Sequence, residues 1–151
     1  MTISATPAPK LVLERMYQAE SEYLAAGGPG IASFTTLAPF FAPDVVLTQA
    51  DSLPYGGVWR GHAGLEQFFQ AMTATWDRFD LLDQSFLSES NPLIVLTHVH
   101  ARSRTTAREL DFPILQTITV TDGRISEVRP FYWDTAAIAA ACASADSVSE
   151  G

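Results

Sequence analysis

The stretch ILQTITVTDGRISEVRPFYWD, running from Ile114 to Asp134, decides the fold. It reads as two alternating strands joined by Asp122-Gly123, one of the strongest short hairpin signals a sequence can carry. The incoming strand sets Ile114, Gln116, Ile118 and Val120 on one face. The outgoing strand sets Ser126, Val128, Pro130 and Tyr132 on one face and Ile125, Glu127, Arg129 and Phe131 on the other. Gln116 is out of character among its aliphatic neighbours. Burying an amide without partners costs roughly 1–3 kcal/mol, so Gln116 is expected either to hold an internal hydrogen bond or to face a ligand pocket.

Upstream, the chain alternates over Phe79–Ser88 and again over Leu93–Arg104, with turns at Asn91-Pro92 and Thr105–Arg108. Further towards the N-terminus the periodicity changes. Leu13, Met16, Tyr17 and Leu24 recur at helical spacing between Leu11 and Ala26, and Gly27-Gly28-Pro29-Gly30 ends that helix. A second short helix is expected over Ile31–Phe41, and Asp44–Asp51 alternates as a strand. Ser52–Gly64 reads as a glycine-rich loop. A third helix is expected from about Ala63 to Trp76, with Leu65, Phe68, Phe69 and Met72 on its buried side. After the hairpin, Asp134 is a good cap for a final helix. The order predicts an α+β domain over residues 10–143, helices on one side of a curved sheet, between a flexible leader (1–9) and a flexible tail (144–151).

Composition narrows the partners. The 151 residues suit one domain, and at 47% hydrophobic the chain is expected to fold. Nine basic against seventeen acidic side chains, a net charge of −8, argue against nucleic acid and anionic membranes. No apolar run is long enough to span a bilayer. The leader MTISATPAPK lacks a charged segment followed by an apolar one, so no secretory signal is expected. Cys142 is the single cysteine. It permits no internal disulfide and lies in an alanine-rich helix without an activating neighbour, so a cytoplasmic location and an inert thiol are expected.

The first helix ending in LAAGG (Leu24–Gly28), FFAPDVVLTQ (Phe40–Gln49), GGVWRGHAGLEQFF (Gly56–Phe69) and VTDGRISEVRPFYWD (Val120–Asp134) occur together in this order. In that arrangement the chain resembles the nuclear transport factor 2-like superfamily and, within it, the SnoaL-like proteins, over roughly Leu11–Ala140. The resemblance implies a cone-shaped α+β barrel, with three N-terminal helices packed on a strongly curved, mostly antiparallel sheet around an apolar pocket. It also implies a homodimer. It does not fix the function, because the superfamily hosts isomerases, cyclases, epoxide hydrolases, dehydratases and proteins without catalysis. The general base of its ketosteroid isomerases, an aspartate, falls on Gln49 here, and their protonated aspartic acid falls on Gln116. The aspartate of its polyketide cyclases falls on Pro130. An amide can donate hydrogen bonds to a carbonyl or enolate oxygen but cannot shuttle protons at neutral pH.

The proton must then move through another group. Asp51, two residues beyond Gln49 on the same strand face, is the nearest replacement carboxylate; it is otherwise a solvated loop acid. Glu20 lies on the stripe of the first helix, where it either reaches water or points into the cavity. Tyr17, one turn earlier, is either a ligand donor or a core tyrosine. Tyr55 and Trp59 are expected to close the pocket with their rings, and Phe69, Met72, Val99, Val128 and Tyr132 to line it. His98 and His100 share a strand face at a spacing that suits metal ligands. However, Val95, Val99 and Ala101 have the pocket parity, which puts His98, His100, Arg102 and Arg104 on the outer face, where this superfamily often packs a dimer partner. No metal and no cofactor enter the leading expectation.

That expectation is a protein that binds a small, hydrophobic, oxygenated molecule, with Gln49 and Gln116 holding its oxygen. If catalytic, it would run an isomerase, cyclase or dehydratase step through Asp51, Glu20 or a histidine. The alternatives are a non-catalytic ligand-binding or dimeric interaction protein and a histidine-dependent metal enzyme. An ionisable group on the cavity wall separates catalysis from simple binding.

Overall fold

In the computed structural model, which describes residues 7–143, the diagnostic hairpin is formed by β5 (Glu109–Thr121) and β6 (Arg124–Tyr132). Asp122 and Gly123 at its turn have φ of 52° and 77°, the left-handed pair that matches the twist of the strands it joins. One detail departs from simple alternation. Thr119 pairs with Glu127 and Val120 with Ile125, so Ser126 is an extra residue in β6. This bulge turns Ile125, expected outside, onto the inner face, where it is fully buried.

The remaining strands are β1 (Phe41–Gln49), β2 (Gly57–Arg60), β3 (Trp76–Ser88) and β4 (Leu93–Ser103). Together the six form one sheet in the order β2-β1-β6-β5-β4-β3. All pairings are antiparallel except β1 with β6. The sheet does not close on itself, consistent with a cone-like α+β fold. Helices α1 (Pro9–Ala25) and α2 (Gly61–Thr75) lie over its inner face, and α3 (Thr135–Cys142) follows β6. Asp134 caps α3, accepting a hydrogen bond from the Ala137 N–H at 3.0 Å.

Proline at its first turn starts α1, and it ends where Gly28 at φ 66° donates its N–H to the Tyr23 carbonyl. The second helix expected over Ile31–Phe41 is instead two 3₁₀ turns, Phe34–Thr36 and Ala38–Phe40. The glycine-rich loop contains β2, the sheet's edge beside β1. Trp76, expected at the end of a helix, is the first residue of β3. The leader up to residue 6 and the tail from 144 lie outside the described residues. Among the described residues no helix is long and apolar enough to cross a membrane.

The turn between β3 and β4 is tied to the hairpin. The Asn91 amide donates to the Val120 carbonyl at 2.6 Å and accepts from the Val120 N–H at 2.8 Å. Val120 is buried, so Asn91→Ala leaves both backbone groups without this partner. The expected loss is about 2 kcal/mol, read as a lower urea midpoint at unchanged slope.

Candidate functional site

The inner rows of the sheet and the facing sides of α1 and α2 enclose a cavity of about 360 Å³. Its walls are mostly apolar: Leu13 and Met16 from α1, Leu65, Phe68, Phe69 and Met72 from α2, and Leu47, Ile114, Ile118, Ile125 and Val128 from the sheet. Into this apolar space project Tyr17, Glu20, Gln49, Gln116 and Tyr132.

Strand register explains the amides. Leu47 pairs with Val128, and Gln116 with Pro130. Gln49 lies two residues beyond Leu47, as Pro130 does beyond Val128, so Gln49, Pro130 and Gln116 stand in one row across three strands. The Gln116 oxygen accepts a hydrogen bond from the Tyr17 hydroxyl at 3.0 Å. An amide has one oxygen and one NH2, so the NH2 remains as the donor that Gln116 can offer the cavity. Burial, partly opposed by the Gln84 amide, raises the Tyr17 pKa well above the phenol range, so Tyr17 stays a donor. Gln49 is buried, and its side-chain oxygen has no hydrogen-bond partner among the described residues.

Glu20 stands one turn along α1 from Tyr17. Burial raises its pKa to about 7. Glu20 is half-buried and lines the cavity, and a pKa near 7 would leave its carboxyl in both protonation states near neutral pH.

Tyr132 sits at the end of β6, with its hydroxyl 2.8 Å from that of Tyr55. Tyr55 is 1% exposed and does not line the cavity; it stands behind Tyr132 and also meets the Trp76 indole N–H at 3.2 Å. Burial pushes the Tyr55 pKa up to about 12 and Tyr132 well above its ordinary value, so both are protonated at neutral pH.

Several expected positions fall elsewhere. Asp51 is exposed and lies off the cavity wall, in a surface groove with Val58, Arg129, Phe131 and Thr135 that also touches Gln49, Pro130 and Tyr132, because the chain leaves the sheet directly after Gln49. Trp59 does not line the cavity either. Its indole N–H donates to the Tyr55 carbonyl at 3.1 Å and its ring meets Phe68 edge-on. Val99 is fully buried away from the cavity, paired with Phe112, whose ring packs with Trp76 and Phe79. Of the expected lining, Tyr17, Phe69, Met72, Val128 and Tyr132 are on the wall.

Sequence reading missed the mouth. Thr73, Asp77, Arg78, Leu81 and Arg104 reach the cavity from the end of α2, the start of β3 and the turn after β4. Arg104 was expected on the outer face by strand parity. β4 ends at Ser103, however, and Arg104 folds back to donate to the Thr73 carbonyl at 2.7 Å. The signal was faint: a charged Asp77-Arg78 pair directly after a helix, with no alternation to place it.

His98 and His100 do point outward. His98 Nδ1 lies 3.1 Å from Asp83, and His100 is bracketed by Glu109 at 2.9 Å and Asp111 at 2.7 Å. Glu109 is distant in sequence, but β4–β5 pairing brings it alongside. Hydrogen bonds to Glu109 and Asp111 raise the His100 pKa. Among the described residues no group of three or more histidine, cysteine or acidic side chains could hold a metal ion.

The profile of the SnoaL-like domain family matches residues 14–128. No curated protein matches the chain. Among solved structures, an NTF2-like protein of Burkholderia xenovorans is 18% identical, covers 92% of this chain and 100% of its own, and superposes with a TM-score of 0.78. TerC, co-crystallised with polyporic acid, is 15% identical over 90% of this chain and 98% of its own, at a TM-score of 0.73. A protein assigned as a SnoaL-like polyketide cyclase from Jannaschia sp. CCS1 is 15% identical over 93% and 97%, at 0.69. At such identities the likeness carries the fold and no residue role.

Proposed function

The chain belongs to the SnoaL-like domain family, and from that premise we propose that it is a general acid–base enzyme acting on a small hydrophobic molecule that carries carbonyl oxygens. The observation that carries this reading is the Glu20 carboxyl on the cavity wall, raised to a pKa of about 7 by burial. A proton-transfer group works best when its pKa lies near the working pH. A cavity lined by amides and aromatics alone would have supported simple binding instead. TerC with polyporic acid and the Jannaschia protein assigned as a polyketide cyclase are consistent with an oxygenated substrate.

In the proposed step the Glu20 carboxylate takes a proton from the carbon next to a carbonyl. The C–H electron pair moves to the carbonyl oxygen, giving an enolate held by donors such as the Gln116 NH2. The carboxylic acid so formed returns the proton at another carbon, completing an isomerisation, or to a departing hydroxide, completing a dehydration. A cyclase step would instead let the enolate carbon attack a second carbonyl of the same chain, with Glu20 protonating the new alkoxide. The mostly apolar walls lower the local polarity, which strengthens each of these polar contacts. No cofactor is part of this scheme. The proposal extends to a cytoplasmic homodimer joined through the outer sheet face of His98, His100 and Arg102.

The test uses a simple ketone. In D2O the protein is expected to accelerate exchange of the α-protons of 1-tetralone, followed by NMR, and Glu20→Gln is expected to slow that exchange about 10²–10⁴-fold. Equal exchange with wild type, variant and buffer alone would remove the catalytic reading.

A further inference from the structure

The mouth of the cavity carries its charges unevenly. Glu20, Asp77, Arg78 and Arg104 are the charged side chains on the wall, and the last three stand at the mouth. Asp77 accepts a hydrogen bond from Arg102 Nε at 2.7 Å, and Arg78 Nε donates to Asp80 at 2.6 Å. Each of those charges is balanced by a neighbour. Arg104 is not: among the described residues it lies in no ion pair. In a chain with seventeen acidic side chains against nine basic ones, a cation without a carboxylate is left beside the opening.

What Arg104 does have is backbone. Its main-chain N–H donates to the Thr75 carbonyl at 2.9 Å, its Nε to the Thr73 carbonyl at 2.7 Å and its Nη2 to the Trp76 carbonyl at 3.4 Å. These carbonyls lie at the end of α2, where a helix leaves its last C=O groups without helical partners. Capping them uses one edge of the guanidinium. Nη1 has no partner among the described residues. The fork is flat and always charged, so fixing one edge fixes the direction of the rest. An exposed arginine normally gains little from an ion pair, because holding a long side chain still costs conformational entropy. Here the backbone already holds it, so an arriving ligand does not bear that cost.

We infer that Arg104 makes the mouth an anion subsite, and that the protein selects apolar molecules ending in a carboxylate. The hydrocarbon body lies among Leu13, Phe69 and Ile118, and the carboxylate meets the edge of the Arg104 guanidinium that the backbone leaves free, where two N–H groups can engage its two oxygens. The inference rests on the cavity reading above and adds a charged end to the ligand; it does not require that proton transfer occur. At the exposed mouth the carboxylate keeps part of its hydration, so it escapes the penalty of burying a charge. Leu24 and Leu81, on the wall and 44% and 41% exposed, give such a ligand apolar surface on its way out. The net charge of −8 repels an anion at longer range. The uncharged methyl ester of the same acid fills the cavity at least as well, so only a local cation favours the acid.

The test reads affinity at about pH 6, where Glu20 is mostly neutral, from the emission of the tryptophans, of which Trp76 lies on the cavity wall. The probes are 4-cyclohexylbutanoic acid, ionised at that pH, and its methyl ester. The acid is expected to bind the wild type about fivefold more tightly than the ester, the upper end for an exposed ion pair. That preference is expected to vanish as salt rises from about 0.01 M to about 1 M. Arg104→Gln should abolish it, weakening the acid about fivefold and leaving the ester unchanged. Arg104→Lys, which keeps the charge without the fork, should fall between. A role confined to capping α2 would move both probes alike, and that result overturns the inference. So does an ester that binds the wild type as tightly as the acid, which decides the matter even if a variant fails to fold. Absence of saturable binding of either probe up to millimolar concentration overturns the inference and the cavity reading together. Preference for the acid without proton exchange in the ketone experiment supports the subsite and removes only the catalytic proposal.

Discussion

Replacing Glu20 by Gln is expected to raise the unfolding free energy by up to roughly 3 kcal/mol at about pH 8 while changing it little at about pH 4. The ordinary glutamate value is 4.5, and burial in the cavity wall moves it to about 7 in the folded protein. A carboxyl whose folded pKa is raised is favoured by the fold in its neutral form. Below 4.5 the side chain is protonated in both states and the fold bears no penalty. Between 4.5 and about 7 the unfolded chain releases the proton while the folded chain keeps it, so stability declines as pH rises. Above 7 the penalty is complete, and at 1.36 kcal/mol per pH unit it comes to roughly 3 kcal/mol as an upper bound. Glutamine has nearly the same shape and no charge, so the variant avoids that decline. In a chain of this size the difference corresponds to a melting temperature about 6–12 °C higher than wild type at alkaline pH. Such a pH-dependent gain in the variant would fit the proposed acid–base role of Glu20.

The second large effect concerns the wall itself. Phe68 projects from α2 into a nest of rings, edge-on to Tyr55, Trp59 and Phe69 at centroid distances of 6.0, 5.9 and 5.6 Å. It also lines the cavity. Phe68→Ala is expected to cost about 3–5 kcal/mol, because the lost transfer energy is joined by a larger void that the surrounding aromatic side chains cannot collapse to fill. Urea unfolding should show the midpoint shift at unchanged slope. A loss below about 1 kcal/mol would mean that the ring nest rearranges freely.

The hairpin was legible because alternation and a turn dipeptide agree, and the oddity of Gln116 was legible because a period of two assigns it a face without any tertiary knowledge. The bulge at Ser126 was not. One extra residue reverses the parity of everything before it, and nothing in Arg124-Ile125-Ser126 announces it, so Ile125 was assigned to the wrong side. Glu20 was legible as a question: its helical stripe placed it at the boundary of the core, and only the packing of α1 over the sheet decides between water and cavity. Asp51 misled because parity was extrapolated past Gln49, where the strand ends. Arg104 misled for the same reason past Ser103. The Tyr55–Tyr132 pair joins positions 77 residues apart, and the outward His100–Glu109 contact depends on strand register. Contacts of that kind follow from pairing that composition and periodicity do not encode.

The proposed chemistry depends on the ionisation of one side chain, and that can be observed directly. Carboxyl carbons of glutamate shift on losing a proton, so a 13C NMR titration of protein labelled at glutamate, with Glu20 assigned by its disappearance in Glu20→Gln, reports the midpoint without any ligand. A midpoint near 7 is predicted. A midpoint at the ordinary value of 4.5 would mean that the carboxyl reaches bulk water, and the proposed acid–base chemistry would have no group to perform it.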